Sequence, residues 1–208
     1  MRKGIYILPN LLTTGNLLCG FWAIISVFQE QYYYAAVAIL LAAVFDAFDG
    51  KVAKLSGATS KFGMQYDSLA DLVSFGIAPA LLAFSWALRP YGKFGWLAAF
   101  TFVACGAIRL ARYNVLASAG ETKYFKGVPI PVAAAMISLT ILLYLRLVET
   151  GWIKDIVILV MIYVLAFLMV SSIRYYSFKE LGLAQEESAE KDGTHPRGGP
   201  GDPWLKHF

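Results

Sequence analysis

Charged residues are scarce here: 15% of 208 positions, 18 basic against 14 acidic. Soluble domains carry about 25% charged and about 45–50% apolar residues, whereas this chain is 58% hydrophobic with a mean hydropathy of +0.58. That balance excludes an ordinary water-soluble globule and reads as a polytopic membrane protein. The net charge of +4 is small, and its basic residues flank apolar segments. They mark topology rather than a nucleic-acid surface, so no nucleic-acid partner is expected. The two cysteines, Cys19 and Cys105, lie in apolar segments with no partner motif, which favours core packing over a disulfide or zinc site. No small-residue cleavage site follows Arg2 and Lys3, and Pro9, Asn10, Thr13, Thr14 and Asn16 interrupt the stretch beyond them. The N-terminus is therefore expected to be retained. No internal repeat stands out.

Six apolar stretches approach the ~20 residues that cross a bilayer, at roughly 11–29, 33–50, 69–88, 95–116, 128–148 and 154–175. The expected fold is all-α, a polytopic membrane protein with about six transmembrane helices and a short cytoplasmic N-terminal segment. Arg2, Lys3, Lys51, Lys54, Lys61, Arg109, Arg112, Lys123, Lys126, Arg174 and Lys179 fall on one face. Only Arg89, Lys93, Arg146 and Lys154 fall on the other. The positive-inside rule then places the termini in the cytoplasm of a cell whose inner, cytoplasmic membrane holds the chain. Tyr32, Tyr33, Tyr34, Trp86, Tyr91, Trp96 and Trp152 sit at span ends, as an interfacial aromatic belt would. Residues 1–178 read as one membrane domain. Residues 179–208, with their acidic run and Gly/Pro-rich stretch, cannot bury an apolar face and read as a disordered cytoplasmic tail.

Against this apolar background stand four aspartates, Asp46, Asp49, Asp67 and Asp71. Carboxylates beside membrane segments are costly, so such a cluster is a site hypothesis by default. The pairs 46/49 and 67/71, spaced i,i+3 and i,i+4, each share one helix face. Two such faces brought together make an oxygen-rich pocket suited to hard divalent cations such as Mg²⁺ or Mn²⁺. Two ions about 4 Å apart can clamp a diphosphate and stabilise both attacking and leaving oxygens. Gly50 and Gly63 leave bare backbone against which a nucleotide could lie, and Lys54 and Lys61 put positive charge at the mouth. A cation-coupled transporter using the same carboxylates is the alternative from another class. It leaves Gly50, Ala53 and Gly63 without a role.

The segment from Asp46 to Asp71 resembles the signature of the CDP-alcohol phosphatidyltransferases, D-x-x-D-G-x-x-A-R-x8-G-x-x-x-D-x-x-x-D. It matches throughout except that Lys54 stands where the family usually has Arg. Lysine keeps the charge and loses the bidentate fork. Residues 9–20, 66–80, 109–114 and 125–131 are further similar to the integral-membrane phosphatidylserine synthases of bacteria and archaea. The resemblance implies transfer of a phosphatidyl group from CDP-diacylglycerol to the hydroxyl of L-serine, giving phosphatidylserine and CMP. A sister enzyme acting on glycerol phosphate, inositol phosphate or another alcohol is the nearest rival. It also implies two divalent cations held by Asp46, Asp49, Asp67 and Asp71, with Asp46 and Asp67 bridging and Asp71 doubling as general base. Gly50, Ala53, Lys54, Ser60 and Gly63 would line the CDP-diacylglycerol head group, and Asn10, Thr13 and Asn16 would reach its phosphate or ribose. The expected partners are these two substrates, membrane lipids and a second copy of the chain in a homodimer. Separately, Arg109 and Arg112, spaced i,i+3 with Asn114 nearby, could hold the carboxylate of a serine-type acceptor.

Overall fold

A backbone screened from water must satisfy its own N–H and C=O groups within each segment, which favours helices wherever the chain is continuously apolar. The computed structural model describes residues 7–56, 60–118, 127–147 and 153–171, and among them every regular element is helical. In chain order these are α1 (Ile7–Phe28), α2 (Tyr32–Ser56), α3 (Lys61–Asp71), α4 (Ala78–Ala83), α5 (Lys93–Ser118), α6 (Ile130–Leu147) and α7 (Ile153–Val170). Four stretches are long and apolar enough to cross a membrane: Asn10–Phe28, Phe62–Tyr91, Lys93–Leu116 and Ile130–Leu147. The chain is a multi-pass membrane protein. The other two expected spans correspond to α2, which carries Asp46, Asp49, Lys51 and Lys54 toward its end, and to α7, whose apolar stretch Asp155–Val170 is shorter. All described residues fall in one compact unit, Met1–Arg174. The expected tail, 179–208, lies outside the described residues, as do Lys123, Lys126 and Trp152.

The third membrane segment begins earlier than its hydropathy suggests. Helix α3 starts at Lys61, capped by Ser60, whose Oγ accepts the Gly63 N–H at 2.9 Å. A cap of this kind supplies a partner for one of the N–H groups that a helix start leaves free. The rod continues past Asp71 through a π-helical stretch, Leu72–Ile77, into α4, then through a second π-helical stretch, Phe84–Leu88, and a 3₁₀ turn, Arg89–Tyr91. Pro79, near the start of α4, has no N–H to give the usual i−4 carbonyl. Just before it, the ladder is already widened, with the Ala78 N–H reaching Val73 O. Such insertions turn side chains off the regular helical register, and here Ser74 points at α1.

The interior is built of small and branched residues: Ala23, Ala35, Ala38 and Ala42 with Ile39, Phe75, Phe102 and Ile137, all fully buried. Small residues let membrane helices approach closely. One such approach is at Gly20, where a Cβ would stand 2.7 Å from the Ser74 Cα. Cys19 and Cys105 are free thiols packed against this core. Large apolar side chains such as Leu18, Phe21, Phe100, Leu139, Val160 and Phe167 face outward, as a lipid-facing surface requires.

Candidate active site

Four elements meet at one end of the bundle: the first half of α1, the last third of α2, the whole of α3 and the end of α5. Asp46, Asp49 and Asp67 each present a carboxylate oxygen, and these oxygens all lie within 4.8 Å of one another. Asp71 joins them through a carboxylate contact with Asp46. The helical spacings thus do converge, bringing the two pairs from α2 and α3 face to face. Asp49 and Asp71 are buried, Asp46 and Asp67 half-buried, and among the described residues none has a Lys or Arg ion-pair partner. One oxygen of Asp67 is buried with no hydrogen-bond partner. A buried carboxylate left so is costly, and a hard cation with oxygen preference would satisfy it. The donor set fits a divalent ion.

The α1 side chains hold this cluster rather than standing apart from it. Thr13 Oγ1 donates to Asp49 Oδ2 at 3.0 Å, and Asn16 Nδ2 donates to Asp71 Oδ1 at 3.0 Å. Thr13 and Asn16 are almost wholly buried, at 4% and 0% exposed, so these bonds form away from bulk water. Asn16 is fixed in turn, since its backbone carbonyl accepts the Ser74 hydroxyl at 3.0 Å. The Asn16 side-chain oxygen is buried with no partner. One turn away, Thr14 and Tyr66 share a 3.0 Å hydrogen bond between their hydroxyls, and Tyr66 stacks on Phe62.

The remaining expected residues divide. Among the described residues, nothing beyond its own helix backbone and chain neighbours lies within 4 Å of where a Gly50 Cβ would be, so the Gly50 face of α2 is open. Gly63 is more crowded, with Ser60 Oγ at 3.1 Å and Asn10 Oδ1 at 3.5 Å from an ideal Cβ. Ser60 and Asn10 therefore stand at the site's edge. The side chains of Ala53 and Lys54, on the last turns of α2, lie outside the described residues, as does that of Lys61.

On α5, Arg109 is half-buried within electrostatic reach of Asp71, and its Nε has no hydrogen-bond partner. Arg112, three residues on, is exposed. Asn114 is 9% exposed and uses its amide on α3: Nδ2 donates to Gln65 Oε1 at 3.2 Å and to Ser68 Oγ at 3.0 Å. Ser68 and Gln65 flank Asp67 in sequence. Their tie to α5, and the support that Tyr66 and Ser74 give α1, have no mark in the sequence, because a lone Gln, Ser or Tyr carries no spacing signal until its partner is known.

The family model for CDP-alcohol phosphatidyltransferase matches residues 6–171, most of the chain and all of the site. The chain belongs to the CDP-alcohol phosphatidyltransferase family. It is similar to the CDP-diacylglycerol–serine O-phosphatidyltransferase of Helicobacter pylori, with 37% identity over 177 residues, 85% of this chain and 75% of the relative. The Bacillus subtilis protein of the same name is 35% identical over 181 residues, covering 87% of this chain and 96% of the relative. The archaetidylserine synthase of Methanothermobacter thermautotrophicus is 38% identical over 179 residues, 85% of this chain and 72% of the relative.

Proposed function

We propose that this chain transfers the phosphatidyl group of CDP-diacylglycerol to L-serine, forming phosphatidylserine and releasing CMP. The observation that carries the reading is the convergence of Asp46, Asp49 and Asp67 beside an Asp71 oriented by Asn16, in a chain whose similar relatives bear serine phosphatidyltransferase names. Asp46, Asp49, Asp67 and Asp71 are the residues that would hold divalent ions, two in number. Bound there, such ions would neutralise the diphosphate and stabilise the departing CMP.

The chain's own residues do the rest. Asp71 accepts the proton of the serine hydroxyl as that oxygen attacks the phosphorus bearing diacylglycerol, and the bond from this phosphorus to the CMP oxygen breaks in the same step. Asn16 fixes one oxygen of the Asp71 carboxylate and so orients the group. Arg109, half-buried with a free Nε, pairs with the serine carboxylate through a charge-assisted hydrogen bond; Arg112 and Asn114 complete that side of the pocket. The open space at Gly50 admits the cytidine diphosphate, with Asn10, Thr13, Ala53, Lys54, Ser60 and Gly63 around it. The acyl chains stay in the bilayer while the head group bends into a cavity facing the cytoplasm, in a six-span homodimer of the inner membrane.

The experiment is an acceptor panel. Membranes containing the protein, given CDP-diacylglycerol and labelled serine, glycerol phosphate or inositol phosphate, should release CMP and label lipid with serine foremost. A preference for glycerol phosphate or inositol phosphate would replace this reading with that of a sister enzyme.

A further inference from the structure

At the end of the bundle away from the carboxylates is a cavity of about 420 Å³ lined by Glu30, Gln31, Tyr32, Tyr33, Tyr34, Leu145 and Arg146. Thr13 and Glu30 are separated by about 25 Å of α1, and Asp49 and Tyr32 by as much of α2, at 1.5 Å per residue. That distance approaches the ~30 Å of a bilayer's hydrocarbon core, so the cavity sits at the opposite membrane surface.

The turn that forms its rim is costly in an informative way. The Glu30 N–H reaches Val27 O at 3.0 Å and the Gln31 N–H reaches Ser26 O at 2.8 Å, the paired bonds that close a helix C-terminus with one left-handed residue. Glycine usually takes that position. Here it is Glu30, at φ 59°, alone among the described non-glycine residues in having positive φ. A strained position held by a charged side chain points to a use for the side chain. Arg89 approaches it at 3.8 Å, but the two side chains are 58% and 68% exposed, and such pairs are weak in water. Across the cavity, Arg146 has no ion pair among the described residues. Tyr33 and Tyr34, edge to face with centroids 5.6 Å apart, supply ring faces and hydroxyls between them. Phe28 and Leu147, which adjoin the rim in sequence, are 75% and 74% exposed and offer an apolar flank for acyl chains.

We propose that this cavity binds the zwitterionic head group of an amine-bearing phospholipid, with its phosphate on Arg146 and its ammonium between Glu30 and the tyrosine rings. A cation and a carboxylate on one wall set complement a phosphate joined to an amine. Aromatic faces attract ammonium groups, and guanidinium groups favour phosphate oxygens. The proposal is independent of which acceptor the catalytic site uses.

The test measures binding of short-chain phosphatidylethanolamine to the full-length protein in detergent. Short-chain phosphatidylglycerol and chain-free phosphoethanolamine are the comparators. Phosphatidylethanolamine should bind at least roughly tenfold more tightly than either, and Arg146→Ala and Glu30→Gln should each weaken it roughly tenfold, the scale of one charge-assisted contact. Glu30→Gly separates binding from folding: it should melt at a temperature equal to or above the parent's, because glycine suits the turn, and yet lose binding. Unchanged binding in Arg146→Ala or Glu30→Gly would overturn the site. Equal binding of phosphatidylglycerol would overturn the amine contact, and equal binding of phosphoethanolamine would overturn the lipid assignment.

Discussion

Asn16 on α1 donates its side-chain N–H to the Asp71 carboxylate on α3 at 3.0 Å, with Asn16 wholly buried and its own carbonyl held by Ser74. The general base of the proposed reaction is thus positioned by a neighbouring helix. Removing the donor by Asn16→Ala should lower kcat by about tenfold or more, since a hydrogen bond to a charged group contributes about 1.5–3 kcal/mol. The KM for CDP-diacylglycerol should change little. Kinetics with an unaltered kcat would show that Asp71 keeps its aim without Asn16.

Asp67 and Asp71 should separate in their effects. Asp67 belongs to the three-carboxylate group with oxygens within 4.8 Å, so Asp67→Asn should weaken divalent-ion binding and turnover together. Asp71→Asn keeps the size and one ligand oxygen but takes no proton at neutral pH. Its turnover should fall by about 10²–10⁴-fold, the usual contribution of general-base catalysis, with CDP-diacylglycerol binding retained. A near-parental rate for Asp71→Asn would put the base elsewhere.

Divalent-ion dependence follows from the unpartnered Asp67 oxygen and from the lack of a Lys or Arg ion pair to the four aspartates among the described residues. Chelation should abolish turnover, and Mg²⁺ or Mn²⁺ should restore it. Full activity after exhaustive chelation would remove the ions from the account.

The two arginines should not be equivalent. Arg109 is half-buried near Asp71 and Arg112 is exposed. Arg109→Ala should raise the KM for serine by about tenfold or more, the scale of a lost charge-assisted hydrogen bond of about 1.5–3 kcal/mol, and leave the KM for CDP-diacylglycerol nearly unchanged. Arg112→Ala should do less. Equal losses toward both substrates in Arg109→Ala would give that residue a folding role instead.

The spacing of the aspartates made their convergence legible, because i,i+3 and i,i+4 positions share a helix face whatever surrounds them. The apolar runs likewise marked α1, α5 and α6 to within a few residues. What stayed hidden depends on partners distant in sequence. Nothing near Asn114 in sequence announces that its amide is shared with Ser68, 46 positions earlier. The bonds from Thr13 to Asp49 and from Asn16 to Asp71 likewise join residues 36 and 55 positions apart. The early start of α3 turns on one cap at Ser60, and its π-helical stretch on Pro79; hydropathy averages report neither. The left-handed Glu30 departs from the residue preference that sequence reasoning relies on.

The central claim is a single direct displacement at phosphorus by an acceptor oxygen that Asp71 deprotonates, with no covalent phosphatidyl-enzyme. CDP-diacylglycerol made chiral by isotopic oxygen or sulfur at the phosphorus bearing diacylglycerol tests this in one measurement. Phosphatidylserine formed from it should show inverted configuration at that phosphorus. Retention would mean two successive displacements through an enzyme-bound intermediate, and would contradict the mechanism.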